Sequence, residues 1–573
     1  IADDVKGRAV FASDILLPYP AAASDPVTPT VNTYRVLGVG DVITGVNGHI
    51  NDIDIGERLT KRGEIVIWVS TDAGARAIVR AAPALRRPVI VIPGLLGTGP
   101  KPGDTSWFKT RGLPPDQLAL DPFLGAYDDL IQTLENFGYQ KDRDLFVVNY
   151  DWRLPPAVSD GSADGSLTNL TGDGIADTNY LAGVDYLGDA LWRAADAWKL
   201  YHPGEPDLDA VDIIAHDAGG LVARAYIQST AYGDAINPAP LADGSPGASA
   251  LPRIHNLILA GVPNMGDVRS WSGIVDNWKD SAVMRFLLAR LVYAEYLYVQ
   301  GGLFSAISGP DYTIEASQLT TDTLARNREF TRLYAPTLNS MLATYPFIGK
   351  DEAGAALRGL ETITNGLQFR NNLLLDLNGG SAVPPSAAAS AVAAAVTGKV
   401  YVLAGSQADT PLWSRAQFGP TESCLAMTPV NGILSSVQQV RDWINAAANP
   451  YDLEALHDIL GRIEFILNAV GVDGAASKAS ASDIVAFNDF TGRCAGTGEA
   501  WTAVQKSVPA DASFDMRFAR RGDGTVPYGS ATGPFMTAGG TPITSKVVIS
   551  EFPGIQHLPL MYDWQSQMAI LQA

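Results

Sequence analysis

The sequence predicts an α/β protein built on a doubly wound, mostly parallel sheet, with a helical cap insertion and a β-rich N-terminal extension. Three observations carry this expectation. First, short apolar runs recur at Pro88-Val-Ile-Val-Ile-Pro-Gly, Leu145-Phe-Val-Val and His255-Asn-Leu-Ile-Leu-Ala-Gly. Continuous runs of this kind, closed by turn residues, mark strands buried on both faces of a parallel sheet. Second, a segment with helical spacing, Tyr127 to Phe137, separates the first two runs, and such alternation is the grammar of βαβ units. Third, residues 211 to 228 read as strand, sharp turn and helix. There Ala215-His-Asp-Ala-Gly fills the five places of a G-x-S-x-G nucleophile elbow, with Asp217 where serine is usual.

Size and composition bound the rest. The 573 residues exceed one typical core, so domain-sized units or large insertions are expected. A hydrophobic content of 46% and a charged content of 18% are those of a globular chain. The net charge of -20 argues against nucleic acid and against electrostatic docking to anionic membranes, both of which need basic patches. No apolar stretch reaches the ~20 residues of a membrane helix. The chain starts Ile1-Ala-Asp-Asp, without Met or an apolar leader, as expected if numbering begins after a removed segment. A bridge between the two cysteines, Cys424 and Cys494, would close a loop of about 70 residues, worth ~4 kcal/mol on the chain-entropy model. Together with the acidic composition a bridge points to a secreted or periplasmic protein, and two reduced core thiols are the alternative reading.

In chain order, residues 1–86 form a β-rich region, with β-branched runs at Thr33-Tyr-Arg-Val-Leu-Gly, Asp41-Val-Ile-Thr-Gly-Val-Asn-Gly and Glu64-Ile-Val-Ile-Trp-Val-Ser. The stretch 39–48 resembles a strand and turn common in PDZ domains, but covers a third of such a module. Strands that extend the main sheet are the favoured reading. The first part of the core spans 87–269. Within it, Asp160-Gly-Ser-Ala-Asp-Gly and Gly172-Asp-Gly-Ile-Ala-Asp are rich in small and acidic residues. They lack the spacing and terminal glutamate of a calcium loop, and read as a solvated surface loop.

From 270 to 397 helical periodicity takes over, in Val283 to Val299, Thr321 to Tyr334 and Ala387 to Val396, so a cap or lid is expected. A core strand resumes in 398–413. A second helical insertion, 414–512, holds helices at Ile433 to Ala447 and Leu453 to Val470 and both cysteines. The core closes in 513–573 with a strand at Ser545 to Phe552 and a helix from about 561.

The elbow acquires partners from this order. When an elbow nucleophile acts with an acid and a histidine, these follow it from loops after late strands. Arg521-Gly-Asp-Gly-Thr-Val-Pro offers Asp523, and Gly554-Ile-Gln-His-Leu-Pro offers His557 behind the last strand. His216, inside the elbow, is placed to pack or bond beneath the turn. The N–H groups of Ala218, at a helix start, and of Leu95, in the Gly-rich turn after the first strand, are candidate oxyanion donors. His49, His202, His255 and His457 have no carboxylate or cysteine cluster at ligand spacing, so neither metal nor cofactor is expected.

Pro93-Gly-Leu-Leu-Gly, Tyr150-Asp-Trp-Arg-Leu, the elbow with Gly219-Gly-Leu-Val-Ala-Arg, Ala260-Gly-Val-Pro-Asn-Met-Gly, Gly522-Asp-Gly-Thr-Val-Pro and the terminal histidine together resemble the lecithin:cholesterol acyltransferase (LCAT) family of α/β-hydrolases. The resemblance runs from about 88 to 557, omitting the cap and the second insertion. It implies an esterase, lipase or acyltransferase acting on lipid or other esters, with Asp523 and His557 as acid and base and Leu95 and Ala218 as oxyanion donors. It does not carry over the serine. It also implies a small-molecule or lipid ester as partner, with transient lipid-surface contact through the cap.

Aspartate at the elbow leaves three readings open. A carboxylate attacking an acyl carbon forms a mixed anhydride. At saturated carbon it forms an alkyl-enzyme ester, as in epoxide hydrolases and haloalkane dehalogenases, which the pair His216-Asp217 resembles. Leaving-group binders would then come from the cap, where Tyr293, Tyr296 and Tyr298 are candidates by composition. Alternatively Asp217 replaces a parent serine in an inactive variant, or the chain is a non-catalytic lipid-binding protein.

Overall fold

The computed structural model describes residues 2–4, 7–16, 30–43, 45–55, 65–81, 86–101, 106–121, 125–167, 170–175, 177–232, 251–274, 306–308, 313–315, 335–349, 370–380, 384–408, 410–420, 499–506 and 521–573. In the N-terminal region, strands β1 (Ala2–Asp4), β2 (Gly7–Leu16) and β3 (Thr30–Gly38) form one antiparallel sheet. Strands β4 (Ile50–Ile55), β5 (Ile65–Thr71) and β6 (Arg76–Ala81) form another. Val10, Leu37, Ile50, Ile53, Ile67 and Val69 bury a small core of their own. These strands therefore do not extend the main sheet, which corrects the expectation from sequence. The physical reason is visible in β5, where Ile67 and Val69 are buried while Trp68 between them is 55% exposed. A strand with one wet face does not belong in a sheet covered on both sides. The expected run from Asp41 makes turns rather than a strand among its described residues.

Among the described residues the main sheet has six parallel strands: β7 (Val89–Ile92), β8 (Leu145–Val147), β9 (Ala210–His216), β10 (Arg253–Ala260), β11 (Val400–Ser406) and β12 (Val547–Pro553). They lie in the order β8-β7-β9-β10-β11-β12. Alternate residues of each strand serve opposite layers. Val89, Val91, Ile214, Ile258 and Leu403 pack with Leu130 and Leu134 of α1 (Asp128–Asn136) and Ile570 of α6 (Trp564–Gln572). Ile90, Ile92, Ile213, Leu257, Leu259 and Val402 face the other way. There they meet α2 (Gly183–Tyr201), α3 (Ala218–Ile227), α4 (Asn372–Leu377) and α5 (Pro385–Ala395). Truncating any of these buried aliphatic side chains to alanine costs about 2–5 kcal/mol. The helices expected at 127–137, 387–396 and near the C-terminus form within a few residues of those bounds.

The chain order reverses direction between β7 and β9: from β7 it crosses outward to β8, then returns past β7 to β9. Such a switch point opens a crevice at the C-terminal strand ends, where ligands of doubly wound sheets bind. The Leu95 turn and Asp217 both emerge there. The excursion after β11 leaves and rejoins the core at one point, since Ala408 and Gly522 form a β-bridge. Beyond it, 413–420 pairs antiparallel with 499–506, and Ile348–Gly349 adds to that pair. The remaining cap helices, the second insertion's helices, Tyr293, Tyr296, Tyr298 and both cysteines lie outside the described residues.

Candidate active site

Asp217 is the single residue between β9 and α3, with φ 49° and ψ -128°. A non-glycine residue in this region stores about 1–3 kcal/mol of strain, which the packed strand and helix on either side must sustain. The turn closes because Gly219 has no side chain: a Cβ there would lie 2.5 Å from the carbonyl oxygens of both Ile92 and Pro93. The expected elbow thus exists, and its central carboxylate is 4% exposed.

The two carboxylate oxygens of Asp217 have different surroundings. Oδ2 accepts a hydrogen bond from the Leu95 N–H at 2.9 Å. Oδ1 is buried without a hydrogen-bond partner among the described residues and lies 3.6 Å from His557 Nε2, an ionic contact too long for a hydrogen bond. On its far side His557 Nδ1 meets Asp523 Oδ2 at 2.7 Å. Asp523 is held in turn by the N–H groups of Thr525 and Val526, at 2.9 and 2.7 Å, on its Oδ1. Asp217, Asp523, His557 and Leu95 are therefore brought together. Ala218, fully buried, opens α3 directly behind Asp217 and contributes one of the first-turn N–H groups that lack an intrahelical acceptor.

Charge follows geometry. Burial opposes an imidazolium at His557, but the carboxylates of Asp523 and Asp217 on its two sides outweigh it and raise its pKa to about 10. Burial would likewise raise Asp217, yet His557, with lesser help from His216 and the Leu95 N–H, holds it below the ordinary carboxylate range. At neutral pH the site is a protonated histidine between two carboxylates.

His216 behaves as expected, bonding beneath the turn. Burial, and then the neighbouring charge of His557, lower its pKa to about 4, so its ring is neutral. Its Nε2 lies 3.1 Å from the His557 carbonyl oxygen, which only an N–H can satisfy. Nδ1 is then the acceptor, and takes the hydroxyl proton of Tyr127 at 2.7 Å. Tyr127 oxygen in turn accepts the Gly94 N–H at 2.7 Å. This chain of bonds ties the Leu95 turn, the elbow and the histidine loop into one unit. Sequence reasoning missed Tyr127, which gives no signal beyond opening a helix.

The Tyr150-Asp-Trp-Arg run is an anchor below the site. Arg153 grips Asp151 with Nε and Nη2, both at 2.7 Å, and its Nη1 reaches the Trp107 carbonyl at 2.6 Å. Its guanidinium lies 3.6 Å from the Trp107 ring centroid. Trp152 donates from Nε1 to the Thr98 carbonyl at 2.9 Å, and Thr98 Oγ1 donates to the Tyr150 carbonyl. These bonds fix the turn that presents Leu95.

A six-stranded parallel sheet flanked by helices, with the elbow at its switch point, is the α/β-hydrolase fold. Residues 117–162 match the family model described as lecithin:cholesterol acyltransferase, under a tenth of the chain. That span carries α1, β8 and the Tyr150-Asp-Trp-Arg anchor. No curated protein matches the chain.

Proposed function

We propose that the chain is a hydrolase or acyltransferase acting on lipid or other ester substrates, with Asp217 as nucleophile, His557 as acid and base, Asp523 as the residue that orients and charges His557, and Leu95 and Ala218 as oxyanion donors. One observation carries this reading: His557 stands between Asp523 and Asp217 at the C-terminal edge of the sheet, at 2.7 and 3.6 Å. The family match over 117–162 supports the ester and lipid class.

An aspartate nucleophile is already anionic and needs no base for the first step. What it needs is an acid for the leaving group, and His557 is protonated beforehand. Attack of Oδ1 on the acyl carbon breaks the ester C–O bond, and the departing alkoxide takes the His557 proton. The neutral imidazole then removes a proton from water, which attacks the mixed anhydride. Its cleavage releases the acid, restores the carboxylate and leaves His557 protonated.

A second reading, attack at saturated carbon, is favoured by the unequal oxygens of Asp217. With Oδ2 on the Leu95 N–H and Oδ1 unbonded, Oδ1 is the attacking atom. Oδ2 becomes the carbonyl oxygen of the alkyl-enzyme ester, polarised for attack by water.

Turnover of an alkyl ester in heavy-oxygen water tests both. In a single turnover, label in the released acid marks acyl attack with water entering at the acyl carbon, whereas label in Asp217 with unlabelled acid marks alkyl attack, the alcohol then leaving with the former Oδ1. A wild-type rate equal to that of His557→Ala would refute the proposal.

A further inference from the structure

We propose that loop 160–165 and helix α4 together form a binding site for a hard divalent cation, calcium by its chemistry, centred on Oδ2 of Asp376. The site lies outside the Asp217 constellation and does not depend on the reaction proposed there.

The loop and the helix are joined backbone to backbone. A Cβ on Gly165 would lie 2.6 Å from the Gly379 carbonyl oxygen, and one on Gly380 would lie 2.6 Å from that of Ala163. Asn372 Nδ2 donates to the Gly161 carbonyl at 2.7 Å, and the Gly165 N–H donates to Asp376 Oδ1 at 3.0 Å. Asp376 is 2% exposed, and this bond turns its carboxylate toward the loop. Its second oxygen, Oδ2, is buried with no hydrogen-bond partner among the described residues. Ser162 Oγ and Asn372 Oδ1, from the same two segments, are buried and unpartnered among the described residues as well. Three orphaned oxygens on two segments that touch backbone to backbone, each able to accept, are what a cation satisfies and a packed apolar contact does not.

Charge agrees with this. The carboxylates of Asp160 and Asp164 and the guanidinium of Arg370 stand near enough to Asp376 to act on its charge. Carboxylates outnumber guanidinium groups among these neighbours, a balance that favours a cation. No group of three His, Cys, Asp or Glu side chains stands ready for a metal among the described residues. The donor set is one buried carboxylate with amide and hydroxyl oxygens. Such mixed oxygen ligation at irregular positions suits calcium, whereas magnesium demands a near-ideal octahedron. With a single buried carboxylate the affinity belongs to the weak class, with Kd about 10⁻⁴–10⁻³ M. The loop alone lacks a calcium motif because its central ligand comes from Asp376, more than two hundred residues later in the chain.

Occupancy would be felt by the elbow helix. Arg224 of α3 donates from Nη2 to the Leu377 carbonyl at 2.6 Å and to Asn378 Oδ1 at 3.0 Å, at the end of α4. The cation therefore clamps the loop to an element already fastened to α3.

The test is thermal unfolding of the full chain, stripped with chelator at pH 7.5 and titrated with calcium chloride to about twenty times the expected Kd. Wild type is expected to gain a few degrees in Tm, with a smaller gain from magnesium. Asp376→Asn removes the buried charge, so it should melt no lower than stripped wild type and show no calcium response. Asp164→Asn and Asn372→Ala, which keep Asp376, should shift the calcium midpoint several-fold upward. They carry the same contrast if Asp376→Asn does not fold. Equal calcium responses in wild type and these variants would mean general screening of an acidic protein and would overturn the site. So would a wild type indifferent to calcium.

Discussion

Asp217→Asn tests the electrostatic account of the site most directly, because it keeps the shape and removes one charge. In the wild type that charge lies 3.6 Å from His557 Nε2. A pair at this distance interacts by about 4.6 kcal/mol at an effective dielectric of 20. Divided by 1.36 kcal/mol per pH unit, its loss lowers the His557 titration midpoint by about 3, from about 10 toward neutrality. The assay is a proton-detected titration of the imidazole in wild type and variant. The same change appears in stability. A histidine whose folded pKa is raised adds stability that is complete below its unfolded value near 6.5 and is lost as pH rises to the folded value. Wild type should therefore lose stability between about pH 6.5 and 10, and the variant should show little of that slope. A variant midpoint within one pH unit of wild type would refute the reasoning, because the two-carboxylate clamp would then not be what holds the proton.

Three further outcomes follow from the packing. Arg153→Ala strands the fully buried Asp151 carboxylate and should cost about 3–5 kcal/mol in urea unfolding, whereas a loss under 1 kcal/mol would show that the pair is not an anchor. Tyr150→Phe deletes a hydroxyl that is buried without a hydrogen-bond partner among the described residues, and calorimetry should find the variant about 1 kcal/mol more stable; a lower Tm would count against the geometry. Gly219→Ala drives a methyl into two carbonyl oxygens and should cost about 3 kcal/mol or abolish soluble expression, with wild-type stability as the contrary result.

The parallel sheet was legible because strands such as Val89–Ile92 are apolar throughout, and the elbow because a helix restarts one residue after a strand. Asp523 and His557 were legible for a different reason: chain order past late strands restricts where an acid and a base can stand. Other features carried no such signal. Glu64-Ile-Val-Ile-Trp-Val-Ser is as apolar as a core strand, and only the exposure of Trp68 reveals that one face is wet. An apolar composition specifies burial, and does not name the sheet that provides it. Helix α2 was not anticipated, although Tyr186, Leu187, Leu191 and Ala194 fall on one buried face. Tyr127 was missed because its role depends on a tautomer of His216, which is decided by a carbonyl 341 positions further along the chain.

The bridge between Ala408 and Gly522 has a consequence for how this protein can be altered. Its two partners meet where the Ala408 N–H donates to the Gly522 carbonyl at 3.1 Å, and Thr410 Oγ1 accepts the Gly524 N–H at 2.7 Å. Asp523 thus sits between two contacts at the neck of the excursion. A chain in which residues 421–498 are exchanged for a short turn between the paired strands is expected to keep Asp523 beside His557, because the contacts of this collar lie outside that stretch, and the His557 titration midpoint of such a chain would report it.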